Sequence, residues 1–256
     1  MEIVLENMTA FLLVFVRMAG MILFNPVFSR KNVPSQIRMG FILCLTILIT
    51  PTIEASQLAA FSEFDVVAAM LKELAIGVVC GYVFQFFYYL LFFAGDLLDM
   101  QFGLSMAKIF DPGSNIQMSV SGNLLNIIFM LYLFATDSHL LLIKIMASSY
   151  QIIPAGATGL SLHITSFMLD LFISAFSLII KLILPFIVAE LIVEISMGVL
   201  MKLIPQIHVF VINIQFKLLF GMFMLLAFAH PVSAFVDNYI FVMFESIQKA
   251  LHQMVA

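Results

Sequence analysis

The chain has 256 residues, 63% of them hydrophobic and 10% charged, with a mean hydropathy of +1.15. A soluble domain is about half apolar and about a quarter charged, so these proportions exclude a soluble globular fold and make lipid the solvent. The formal net charge of −4 is small, and no basic stripe marks a nucleic-acid surface.

The N-terminal residues MEIVLENM carry Glu2 and Glu6 where a signal peptide needs a basic region. The first apolar run is therefore expected to be retained. A spanning helix needs about 20 mostly apolar residues, and such runs lie near 8–28, 38–53, 70–94, 122–146, 166–203 and 207–230. The second is short for a span. The fifth is too long for a perpendicular crossing, and Pro185 in its middle predicts a kink. A last apolar segment, Tyr239 to Val255, follows Pro231 and reads as a continuing or interfacial helix.

Loop charges give an orientation. Arg30, Lys31 and Arg38 surround the first link, whereas Thr52 to Asp65 holds only acidic charges. The positive-inside rule then puts the first link in the cytoplasm and the N-terminus outside. With no Trp in the chain, interfacial anchoring falls to tyrosines such as Tyr88, Tyr89, Tyr150 and Tyr239. Cys44 and Cys80 sit inside apolar runs and read as small buried hydrophobes.

Several charges interrupt the greasy runs. Arg17, between Val16 and Met18, must face protein or water, as a structural ion pair or in a transport role. Glu190 and Glu194 are four apart and share a helix face. With Lys202, and with Lys217 beyond it, they are assigned to pairing with neighbouring helices or subunits. Lys72–Glu73 reads as a pair at the membrane edge, and Gly77 and Gly81 form a GxxxG step that allows close helix approach. The five histidines are scattered. No metal-ligand spacing and no hydrolase or phosphate-loop motif occurs, so no catalytic residue, metal or cofactor is expected.

The most informative stretch is Ala94–Asn115, AGDLLDMQFGLSMAKIFDPGSN. Asp111-Pro112-Gly113 has turn chemistry, yet Phe102, Leu104, Met106, Ile109 and Phe110 are too apolar for a freely solvated loop. Irregular backbone at membrane depth is tolerated only against protein or a water-filled cavity. A re-entrant or occluding segment fits better than a plain connection.

Taken together, the residues resemble the FliR family of flagellar type III export-gate components and its virulence-system relatives. The likeness rests first on Arg17, Pro26, Ser29, Val33-Pro34 and Arg38, then on Glu73, Gly77 and Gly81. It continues through Ala94-Gly95, Asp99, Gln101, Gly103, Ala107 and Asp111-Pro112, and through Asp137, His139, Ser149, Pro154 and Gly156. The last part contributes Glu194, Gly198, Lys202, Pro205-Gln206, Val209-Phe210 and Lys217. His208, Asn213 and Gln215 depart from the family pattern. Asp111-Pro112 leans toward the flagellar branch.

The resemblance implies an all-α membrane protein of about six long hydrophobic helices and no enzymatic activity. It implies an N-terminal FliP-like module over 1–160 and a C-terminal FliQ-like helical hairpin over 161–256, turning at Pro205. One such subunit joins FliP-like and FliQ-like subunits, beside FlhB-like and FlhA-like export proteins, in the bacterial inner membrane at the flagellar basal body. Unfolded protein substrates pass through the channel so formed. Much of the family's complex stands out of the bilayer, which leaves open whether the apolar runs meet lipid or other subunits.

The resemblance also implies a plug loop, here about 103–122. Its closing residues would be Leu104, Met106, Ile109 and Phe110, framed by Gly103, Asp111, Pro112 and Gly113. Arg17, Glu190, Glu194, Lys202 and Lys217 would be assembly charges. A small-molecule secondary transporter, with Arg17 and the two glutamates as coupling site, is the alternative. Such folds show paired repeats, and the halves of this chain do not match.

Overall fold

The computed structural model describes residues 2–30, 33–53, 61–105, 119–157, 164–204 and 209–255. Among these residues the chain is helical and contains no strand. In order come α1 (Glu2–Leu23), α2 (Ser35–Ile49) with a short 3-10 turn at Thr50–Thr52, α3 (Glu63–Gln101), α4 (Val120–Ala135), α5 (Ser138–Ile152), α6 (Ile164–Leu203), α7 (Val209–Ala227) and α8 (Ala229–Gln253).

The helix ends follow local chemistry. Pro34 starts α2, its φ of −56° already set, and its carbonyl accepts from the Ile37 and Arg38 amides. At the start of α3 the Asp65 amide donates to Ser62 Oγ (3.3 Å) while Asp65 Oδ2 accepts from the Ser62 amide (3.0 Å). This is a reciprocal cap with a carboxylate at the positive end of the helix. Gly103, with φ +76°, ends α3 in a left-handed turn that a side chain would strain.

Three expectations change. The run at 122–146 is two helices, not one. Asp137 adopts φ 55° between them, and the Thr136 hydroxyl donates to the Tyr132 carbonyl at 2.8 Å. The Thr136 hydroxyl thus bonds the backbone of its own last turn, and Asp is among the residues that tolerate a left-handed conformation, so the break falls here. The first run starts and ends earlier than expected, as the 22-residue helix Glu2–Leu23. α8 begins at Ala229, before Pro231, which occupies the first turn where the missing amide is harmless. α6, by contrast, continues through Pro185.

By length and composition α2 with its 3-10 turn, α3 and α6 can each cross a membrane alone. Among the described residues, the pairs α4/α5 and α7/α8 raise the number to five if each counts as one broken span. α7 and α8 bend by 63° at Phe228. The expected turn at Pro205 lies outside the described residues.

The helices group into two compact units that are discontinuous in sequence: residues 1–87, 137–171 and 242–256, and residues 88–136 and 172–241. The first unit buries Leu13, Met18, Ile22, Ile42, Val83, Phe84 and Phe244, with the last two rings edge to face at 6.5 Å. The second buries Leu98, Phe102, Phe129, Ile183, Phe186 and Tyr239. Cys80 is buried as expected, whereas Cys44 is exposed, because it lies on an outward side of α2.

Glycines set the closest approach in the first unit. A Cβ on Gly20 would lie 3.0 Å from Gly77 Cα, and one on Gly77 would run into the Arg17 carbonyl. Gly81 packs against Phe24 in the same crossing of α1 and α3. The GxxxG step is thus used for close packing. Gly77→Val is expected to lower stability by about 1–3 kcal/mol through overpacking. Gly198→Ala, in open space within α6, should raise it by about 0.5–1 kcal/mol. Thermal unfolding in detergent checks both, and equal effects would contradict the crossing.

Candidate functional site

Two polar constructions stand out, one in each unit. In the first, Arg17 projects from the middle of α1 and is fully buried. Its Nε donates to Glu73 of α3. Its Nη1 donates to the Ser149 carbonyl of α5 at 3.1 Å, and Tyr150 lays its ring 4.0 Å from the guanidinium carbon. The second Glu73 oxygen accepts from the Gly156 amide at 2.9 Å, in the turn after α5, where Gly156 has φ +77°. The Tyr150 hydroxyl donates to the Val14 carbonyl at 3.4 Å. The charge of Arg17 is therefore met within the chain. Glu73 is buried and belongs to this pair, where the sequence suggested a membrane-edge pair with Lys72.

The second construction holds the two roots of the segment between α3 and α4. Asp99, buried near the end of α3, accepts from three donors at the start of α4: Ser119 Oγ at 2.8 Å and the amides of Val120 and Ser121 at 2.6 and 3.0 Å. Ser119 in turn accepts from the Gly122 amide at 2.9 Å. A carboxylate on exposed amides of a helix start joins charge-assisted bonding to the helix dipole. Beside it Gly95 and Gly122 touch backbone to backbone, so that a Cβ on Gly95 would overlap Gly122.

At the other root Phe102 is buried with its ring on Gly221 of α7, where a Cβ would collide with it. Phe186 of α6 meets that ring edge-on at 6.3 Å, and Phe228 packs against Phe186 at 5.4 Å. Gly103 follows at once. Residues 104–118 thus leave from a seated aromatic and return to an acid-clamped helix start.

Of the expected plug residues, Gly103 and Leu104 are half-buried at this root. Met106, Ile109, Phe110, Asp111, Pro112 and Gly113 lie outside the described residues. Residues 120–122, at the far end of the expected loop, are the first turn of α4. Among the assembly charges, Glu194 pairs with Lys217 at 3.4 Å. Lys202 is exposed near the end of α6. Glu190 is buried, and neither carboxylate oxygen has a hydrogen-bond donor among the described residues.

The roles of Asp99, Glu73 and Phe102 escaped the residue pattern. An acid late in one apolar run and a Ser at the head of the next could have signalled the Asp99 clamp. Nothing in a list of phenylalanines distinguishes Phe102.

The model of the bacterial export proteins, family 1, matches residues 8–243. The chain belongs to that family. It is 26% identical to the flagellar biosynthetic protein FliR of Escherichia coli strain K12 over 226 residues, covering 87% of this chain and 85% of that protein. With the FliR of Bacillus subtilis strain 168 it shares 25% over 258 residues, 98% of each chain. With that of Pectobacterium carotovorum it shares 26% over 244 residues, 94% of this chain and 92% of the other. The FliR resemblance carried by the residues is thereby shown. This member of the family is a membrane-embedded component of the flagellar export apparatus.

Removing one member of a buried ion pair strands the other, at about 3–5 kcal/mol. Arg17→Leu and Glu73→Leu should each destabilise by about that amount, and the double variant by clearly less than the sum. A double-mutant cycle on detergent-solubilised protein reads this directly. Additive losses would mean that the two charges do not depend on each other.

Proposed function

We propose that the chain is a subunit of the flagellar protein-export gate, forming with FliP-like and FliQ-like subunits the channel for unfolded flagellar proteins. FlhB-like and FlhA-like export proteins are its further partners, and the bacterial inner membrane at the basal body is its place. Residues 1–160 take the FliP-like role and 161–256 the FliQ-like one. Glu190, Glu194, Lys202 and Lys217 serve assembly, whereas Arg17 serves the fold of the chain itself.

Within that gate the segment between Gly103 and Ser119 acts as the plug. The observation that carries this reading is the double anchorage of its roots, Phe102 on Gly221 and Asp99 on the start of α4. A stopper must be tethered where it enters and leaves so that its apolar middle can be offered to a pore. Leu104, Met106, Ile109 and Phe110 supply that middle. Apolar constrictions block ions by dewetting, and Met side chains adapt their shape to varied substrates.

Deletion of 106–117 should raise ion leakage through the assembled gate by an order of magnitude or more. Asp99→Ala, which releases one root while keeping the apolar residues, should raise it by less. Single-channel or vesicle-flux recordings on the complex measure both. Conductance unchanged by the deletion would sink the plug assignment, whatever the fate of the gate reading.

A further inference from the structure

The α6–α7 pairing contains a charge set that does not close on itself. Glu190 and Glu194 lie one turn apart on the same side of α6, about 5–6 Å between Cβ atoms, and Lys217 of α7 bonds Glu194 at 3.4 Å. Glu190 is 1% exposed, with both oxygens lacking a donor among the described residues. Two carboxylates thus share one ammonium. An unpaired buried carboxylate is costly, and the set is short of one positive charge.

Where that charge enters is set by exposure. The Glu194 side chain is 59% exposed and Lys217 only 15%. Around Glu194 the outward side chains on α6 are Leu191, Ile192 and Ile195, with Ser196, whose hydroxyl is turned back onto the Ile192 carbonyl, as the polar exception. On α7, Phe216 and Leu219 are exposed as well. A carboxylate on such a face cannot rest against lipid tails without a large cost, so it must face protein or water.

We propose that this face docks an apolar helix of a neighbouring export-gate subunit carrying one Lys or Arg, which lands on Glu194 and releases Lys217 to Glu190. The inference rests on the gate reading and adds the chemistry of one contact within it. Charge complementarity selects the partner: a helix apolar enough for Ile192, Ile195 and Leu219, with one basic residue to complete the set. Docking then has a reason to be specific. Without the incoming cation Glu190 stays orphaned, and with it each carboxylate has its own cation.

The test uses the whole chain expressed with the other gate subunits. Glu194→Lys should reduce the yield of co-purified FliP-like and FliQ-like subunits by tenfold or more, with the chain still inserted at its normal level. Glu194→Asp should retain most of the complex. A photo-crosslinking residue at Ile195 should capture one neighbouring subunit. In the purified chain alone, Glu194→Gln frees Lys217 for Glu190, so its melting temperature should hold or rise. A lowered melting temperature would show that the Glu194–Lys217 pair serves the chain's own fold, and the proposal would fail. It would fail equally if Glu194→Lys assembled normally or if Ile195 crosslinked only to lipid. Absence of any complex from the unaltered chain would instead overturn the gate reading.

Discussion

The buried pairing of Arg17 with Glu73 is the constraint on which the first unit depends. A guanidinium at the centre of an apolar helix cannot be left alone, and its partner stands 56 residues away on another helix. Meeting it requires α1 and α3 to approach at one register, which the contact of Gly20 with Gly77 permits. The same pair reaches α5 through Ser149 and the turn after it through Gly156. One charge therefore orders four pieces of chain, and a slip along any helix would strand it.

The second unit uses different means for a related end. There the polar anchor is Asp99, which satisfies a helix start instead of a charge, and the apolar anchor is Phe102 on bare backbone at Gly221. Both hold a segment whose ends would otherwise be free. The contrast suits a membrane-embedded member of an export family. Firm helix packing supplies a frame, and the roots at Phe102 and Ser119 belong to it. The charge set of Glu190, Glu194 and Lys217 belongs to the same unit, with Glu194 its exposed member.

Much of this was legible beforehand, and the failures have physical causes. The apolar runs announced helices, but one of them breaks at Thr136 and Asp137, where the Thr136 hydroxyl bonds its own turn and Asp137 takes a left-handed conformation, neither of which hydropathy registers. Lys72 beside Glu73 invited a local pair. Burial overrode that, since the acid turns inward to a cation that costs more to leave unmet. Cys44, inside an apolar run, is nonetheless exposed, as an apolar run has more than one side.

The sequence by itself determined the apolar composition, the helical character and the family. These follow from composition, periodicity and ordered motifs, which are properties of residues near one another in the chain. Only the tertiary structure decided that Arg17 belongs to Glu73, that Asp99 closes one root of the loop and that Phe102 seats the other. It alone left both Glu190 oxygens without a hydrogen-bond donor among the described residues. Each of these depends on which helices meet and at what register. Register is set by the joint packing of distant segments, so no local run of residues encodes it.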